Sequence, residues 1–210
     1  MSYAVAEPPT TIAEFEAFTA RQPHGVQWEL VDGLMKAMTN PTEAHALIVA
    51  ALFRAMDSAA RDQGCRLTTG GLRVQAQAAD NTTAVIPDLV MRCGPRVDRN
   101  WIDDPVIVVE VLSPSTMDFD RGGKLALYKS LTSVRDIVLV YQDQVRVEHY
   151  ARATDGPEGT EAALNGWVMT PSTALSDGLS FAAVSVTAKL SAIYADTALS
   201  AAPSSSPALR

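Results

Sequence analysis

The chain has 210 residues, 47% hydrophobic and only 6% aromatic, a composition that fits one globular domain with a substantial core and excludes a disordered chain. No apolar run approaches the roughly 18–20 residues needed to span a bilayer, and the first nine residues lack the basic start and apolar stretch of a signal peptide, so a cytoplasmic protein without membrane association is expected. A net charge of −7 argues against strong general affinity for nucleic acid, because phosphate neutralisation supplies most non-specific binding; an enzyme with a local basic patch remains compatible with it.

Thr11 followed by Glu14 reads as a capping box opening a helix over residues 12–19, closed by Pro23 and Gly25. Residues 28–31 and 34–38 flank Asp32-Gly33, the sequence of a tight hairpin turn. A long helix is predicted over residues 42–63, with Leu47, Ala50, Ala51, Arg54 and Ala55 near helical spacing and Gly64 as its stop. Strands are predicted at residues 66–69, 72–76 and 85–91, separated by the turn-forming pairs Gly70-Gly71 and Asp80-Asn81. Cys65 and Cys93 stand in no metal-ligand spacing and are expected as two buried thiols of a reducing compartment.

Residues 106–113 are continuously apolar except for Glu110, the pattern of a central strand covered on both faces. A helix over residues 121–131 and a buried strand over 137–141 follow, and Asp143-Gln144 turns the chain into a strand at 145–150. Residues 155–161 read as a polar loop, 167–170 and 179–186 as weaker strands, and 190–199 as a closing helix. The tail 200–210, rich in Ala, Ser and Pro, is expected to be disordered, and residues 1–199 to form a single domain.

Three polar residues occupy positions where the pattern asks for apolar ones. Alternation puts Glu110 on a face with Val106, Val108 and Leu112, where an ionised carboxylate costs several kcal/mol (order of magnitude) unless paired or metal-bound. Asp88 shares a face with Ile86 and Val90, beside Pro87, which cannot donate to a ladder and so marks an edge or a distortion. Lys124 lies near the middle of the stripe formed by Leu127, Tyr128 and Leu131, where it needs an anionic partner. Each has a plainer alternative: a turn residue for Asp88, a structural ion pair for Glu110, a pair with Asp120 one turn earlier for Lys124. Together, two acids and a lysine are the parts of a phosphodiesterase site. Carboxylates suit Mg²⁺, the ion activates water and stabilises phosphate charge, and the lysine orients or deprotonates the attacking water.

The segments Ile86-Pro87-Asp88-Leu89-Val90, Val108-Val109-Glu110-Val111-Leu112-Ser113-Pro114-Ser115-Thr116 and Asp120-Arg121-Gly122-Gly123-Lys124, followed by Tyr128, resemble the Uma-two family of restriction-endonuclease-like proteins, assigned to the PD-(D/E)XK nuclease superfamily. Trp28-Glu29-Leu30-Val31-Asp32-Gly33, His45 and a strand near residues 136–141 fit the same pattern, so the resemblance runs from about Thr11 to Tyr194. It implies an α/β fold with a restriction-endonuclease-like mixed central sheet flanked by helices, extended by extra N-terminal and C-terminal strands. It also implies a DNA endonuclease using Mg²⁺ or Mn²⁺, with Asp88 and Glu110 as metal ligands, the Val111 carbonyl as a further ligand, and Lys124 as the catalytic lysine. The superfamily's usual lysine two residues after the acid is absent, since Leu112 stands there; the resemblance implies that it has migrated to Lys124. Glu29 is implied as an auxiliary acid, or else a solvated hairpin residue.

His45 has a packing or hydrogen-bonding role as readily as a catalytic one, Tyr128 reads as core, and Asp120 as a helix N-cap. Arg121-Gly122-Gly123-Lys124 lacks P-loop spacing, the histidines lack zinc spacing, and Ser113 lacks triad partners. A catalytically inactive binding or regulatory module of the same fold is the main alternative, and RNA or a small nucleotide an alternative substrate. A nuclease that cuts both strands needs two sites, which makes a homodimer the natural assembly.

Overall fold

Turn chemistry and alternation divide the strands between two main sheets that share a layer of side chains. The computed structural model describes residues 11–23, 25–76, 82–113, 120–153 and 166–200, without the Asp120 side chain. The helix α1 (Ile12–Thr19) opens with the predicted capping box, in which Glu14 N–H donates to Thr11 and Thr11 N–H donates to Glu14. The hairpin of β1 (Trp28–Val31) and β2 (Leu34–Ala37) turns at Asp32 and Gly33, both at positive φ, as its two-residue connection demands.

The long helix α2 (Glu43–Asp62) is capped by Thr42, whose hydroxyl accepts from His45 N–H. Its buried stripe is Ile48, Leu52, Met56 and Ala60, at strict i, i+4 spacing, and not the expected set around Leu47, Ala50 and Arg54. Ile48, Leu52 and Met56 remove more apolar area from water than Ala50, Ala51 and Ala55 would, and Leu47 is left half-buried. The strands β3 (Arg66–Thr69) and β4 (Arg73–Gln75) follow.

The strand expected over residues 85–91 is two strands. β5 (Ala84–Val85) pairs with β1 and β4 in one sheet, whereas β6 (Leu89–Arg92) pairs with β3 in the other. Pro87 falls at the crossing, where its missing N–H costs no ladder bond, so the proline marks a change of sheet and not an edge. A two-residue strand absent from the sequence reading, β7 (Trp101–Ile102), lies parallel to β4.

β8 (Ile107–Leu112) is central as expected, with antiparallel β6 on one side and parallel β9 (Asp136–Tyr141) on the other. The helix predicted for 121–131 is shorter. A widened turn over Asp120–Lys124, non-helical at Gly122, leads into α3 (Leu125–Ser130). The strands β10 (Val147–Arg152) and β11 (Trp167–Ser172) complete a six-stranded sheet ordered β11-β10-β9-β8-β6-β3, beside a five-stranded sheet ordered β2-β1-β5-β4-β7.

The strand expected at 179–186 is the first arm of a hairpin, β12 (Gly178–Phe181) and β13 (Val186–Lys189), bent through a 3-10 turn to Ser185 at φ 51°. The closing helix α4 (Leu190–Ile193) is one turn long and not ten residues. At its C-cap, Tyr194 is fully buried, and its single hydroxyl proton is shared between the carbonyls of Tyr141 and Arg146, 2.9 Å each. The turn at Asp80-Asn81, the loop at 155–161 and the tail past residue 200 lie outside the described residues.

One face of the six-stranded sheet packs on α2 and the C-terminal hairpin, through Met91, Ile107, Val109, Val138 and Val140. The other face, with Val90, Val108, Leu112 and Leu139, packs on α3 and on Val31, Val74 and Val85 of the smaller sheet. Cys65 and Cys93 are not two buried thiols: they form a disulfide, with Cys65 buried and Cys93 exposed. The antiparallel register of β3 and β6, which pairs Arg66 with Arg92, sets the two cysteines directly opposite each other. Among the described residues no helix is long and apolar enough to cross a membrane.

Candidate active site

A cavity of about 780 Å³ opens where the N-terminal half of α2, the Asp88 bend and the C-terminal half of β8 meet, and Glu29, His45, Asp88, Glu110, Val111 and Lys124 all line it. Glu110 sits on the β8 face shared with Val108 and Leu112, as alternation requires, and is 2% exposed. Lys124 is 3% exposed and Glu29 4%. The Lys124 ammonium lies 2.8 Å from Glu29 Oε1 and 3.4 Å from Glu110 Oε1, so one buried cation bridges two buried carboxylates from different sheets. Such a group is stable only as a unit, because each charge left alone would carry a large desolvation cost.

The same two carboxylate oxygens that face Lys124 accept further hydrogen bonds. The Tyr128 hydroxyl donates to Glu110 Oε1 at 2.5 Å, and the Ile86 N–H donates to Glu29 Oε1 at 2.8 Å. Tyr128 is therefore core, as read from sequence, but with its polar end on the acid. Glu29 is not a solvated hairpin residue. It lines the cavity, and its carboxylate holds both Lys124 and the backbone N–H of Ile86, just before Pro87.

Asp88 differs from its expected setting. It sits in the bend between β5 and β6, not on a strand face with Ile86 and Val90. Its Oδ2 accepts the Val111 N–H at 2.7 Å, and its Oδ1 lies 3.0 Å from His45 Nε2. This ties the bend to the strand that carries Glu110 and to the first turn of α2. His45 thus has the hydrogen-bonding role allowed for it. Whether Asp120 caps a helix lies outside the described side chains; the cap position of α3 is Lys124 itself.

Gly123 fixes the lysine's approach. A Cβ there would overlap Val31 Cγ1 and stand 2.5 Å from Asp32 Oδ2, so only glycine lets this turn lie against the β1–β2 hairpin. Oxygen donors are what this wall of the cavity offers: the carboxylates of Asp88 and Glu110 and the backbone of Val111. That set suits a hard divalent cation, which needs only one or two carboxylates and fills its remaining positions with water and phosphate. Among the described residues no group of three or more His, Cys, Asp or Glu side chains is arranged to hold a metal.

Comparison with known proteins places the chain in a family. A family model described as "Uma2: Putative restriction endonuclease" matches residues 12–186. The chain belongs to the Uma2 family. A Synechocystis sp. (strain PCC 6803) protein, slr1290, itself uncharacterized, is 33% identical to this Uma2 chain over 130 residues, 61% of the chain and 67% of the relative. A second from the same organism, sll1609, is 33% identical over 54 residues, covering 30% of its length. The crystal structure of a "putative nuclease belonging to DUF820" from Anabaena variabilis superposes with a TM-score of 0.68 at 15% identity, over 89% of this chain and 98% of that one. The Uma2 chain accordingly has the restriction-endonuclease-like α/β fold expected from its motifs.

One acid escaped the sequence reading. Glu148 on β10 is fully buried and faces the same side of the sheet as Glu110. The register pairs Glu110 with Leu139, and Leu139 with Glu148, so the two acids share one cross-strand row two strands apart. Glu148 accepts from Tyr141 (2.9 Å), Arg146 (2.8 Å) and Tyr150 (3.2 Å), and lies 3.3 Å from Arg121. Burial alone would raise its carboxyl, but the bonds from Arg146 and Tyr141, the Arg121 charge and the Tyr150 hydroxyl hold it below the usual range. The available signal was alternation: Arg146, Glu148 and Tyr150 share a face opposite the apolar Val147.

Proposed function

We propose that this protein is a DNA endonuclease that uses Mg²⁺ or Mn²⁺ to hydrolyse phosphodiester bonds, with Asp88 and Glu110 holding the ion, the Val111 carbonyl as a further ligand, and Lys124 as the catalytic lysine. The carrying observation is the lysine buried between two acids on the wall of the cavity that Asp88 also lines. Charges buried in a cleft are a functional signature, because a core alone gains little from them. Once bound, the cation would supply Lewis acidity toward the phosphate and lower the pKa of a water.

The protein's own groups do the rest. Lys124 places positive charge beside the reacting phosphate and is aimed by Glu29, which shares its ammonium with Glu110. Tyr128 fixes the orientation of the Glu110 carboxylate, and the Val111 N–H and His45 fix that of Asp88. The chain is read as one domain over residues 1–199, working in the cytoplasm, with a homodimer as the assembly suited to cutting both strands of a duplex.

A second reading, a binding or regulatory module of this fold, draws on Asp88, whose two oxygens are already engaged by His45 and Val111. Mn²⁺ titration followed by electron paramagnetic resonance separates the two. The nuclease reading expects a site in the wild type that is lost in both Asp88→Asn and Glu110→Gln. Binding that persists in both variants, or is absent from the wild type, contradicts it.

A further inference from the structure

Two arginines converge on Glu148. Arg121 comes from the turn that ends in Lys124, and Arg146 from the residue before β10. Two guanidinium groups on one carboxylate leave a unit of positive charge uncompensated within the cluster. Both arginines keep much of their surface in solvent, with side chains 43% and 39% exposed. Arg146 Nε is buried, and among the described residues it has no hydrogen-bond partner. Glu148 itself is fully buried and clamped by two tyrosines, so the arginines rest on a rigid base.

The location is as informative as the charge. Along their shared cross-strand row, two inter-strand spacings separate Glu110 from Glu148, on the order of 10 Å. Tyr141, which bonds Glu148, is followed by Gln142, which lines the cavity and meets Thr42 of the α2 cap at 2.6 Å. Neither arginine lines the cavity itself, but Arg121 stands three residues before the cavity-lining Lys124 and shares Glu148 with Arg146, which sets the pair next to the cavity in the fold. Lys124 is shared with two acids and assigned to the reacting phosphate, so charge for holding a second phosphate must come from elsewhere. Guanidinium groups with spare donors match phosphate oxygens in geometry as well as charge.

We propose that Arg121 and Arg146, supported by Glu148, form a second phosphate subsite that grips the nucleic-acid backbone beside the scissile bond. The subsite rests on the nuclease reading and gives an acidic protein the local basic grip that its overall charge does not. Arg121 holds the backbone from the same turn that carries Lys124, so seating the strand and setting the lysine are one event.

Anisotropy of a fluorescein-labelled oligonucleotide, single-stranded and duplex, measured against KCl concentration without turnover, tests this. Each lost phosphate contact should flatten the slope of log K against log salt by about 0.7 for a single strand or 0.9 for a duplex. Arg121→Gln and Arg146→Gln are each expected to flatten it by that amount, and Arg146→Lys to restore the slope. A purely structural role would lower the melting temperature and leave the slope alone, and that result overturns the subsite. If a glutamine variant does not fold, the Arg121→Lys/Arg146→Lys pair decides: weaker binding at unchanged slope supports the subsite, and unchanged affinity overturns it. Wild-type cleavage with unaltered slopes in the glutamine variants removes the subsite alone. Failure of the wild type both to bind and to cleave removes the nuclease reading with it.

Discussion

Lys124 Nζ is closer to Glu29 than to Glu110, 2.8 Å against 3.4 Å, so the lysine of the site is held chiefly by the early hairpin and only secondarily by the strand acid. Removing the lysine leaves two buried carboxylates facing one another, whereas removing Glu29 leaves a one-to-one pair. Lys124→Ala is therefore expected to lose about 3–5 kcal/mol of folding stability, and Glu29→Gln about 1–3 kcal/mol. Urea denaturation of the two variants measures the difference. Equal losses would contradict the bridging arrangement.

Gly123 carries the second prediction. Because a Cβ there overlaps Val31, Gly123→Ala must push the turn off the hairpin, at about 1–3 kcal/mol, and shift Lys124 with it. Cleavage should fall further than stability does, since a small displacement of a positioned group costs rate steeply. Thermal melts and cleavage rates on the same preparation check both halves.

Much of this centre could be read from the chain. Glu110 announced itself as one acid in an apolar strand, and Lys124 as a cation in an apolar helix stripe, because both break a periodicity that burial enforces. Glu148 was harder to single out for the opposite reason: in Arg146-Val147-Glu148-His149-Tyr150 only Val147 is plainly apolar, so the acid interrupts no apolar run and reads as part of a half-solvated strand. The switch between sheets at Pro87 and the cysteine pair depend on strand register, set by partners distant in sequence. Local spacing cannot encode either.

Glu148 also sets an acid limit. Its carboxyl is depressed in the folded state, so its contribution to stability is fully present above the unfolded carboxylate pKa and is lost as pH falls through the lower folded value. The wild type should therefore lose stability on acidification more steeply than Glu148→Gln, which lacks that proton uptake. Chemical denaturation from neutral pH downward gives the two curves, and parallel curves would deny the depressed carboxyl.

The Cys65–Cys93 disulfide closes a segment of 28 residues in sequence separation. Loop closure of that length constrains the unfolded chain by about 3–4 kcal/mol on the chain-entropy view. Reduction should lower the melting temperature, and Cys65→Ser/Cys93→Ser should match the reduced protein with no further response to reductant. A melting temperature indifferent to reductant would mean that the bond contributes nothing.

The central claim is chemical, and supercoiled plasmid tests it most directly. Wild type, Asp88→Asn and Lys124→Ala would be incubated with plasmid, with and without Mg²⁺ or Mn²⁺, at a temperature where all three are folded. Nicking by the wild type alone, and only with the divalent ion, is the predicted result. Nicking that survives in either purified variant, or that proceeds equally in chelator, would contradict the assignment of Asp88 and Lys124 to a metal-dependent site.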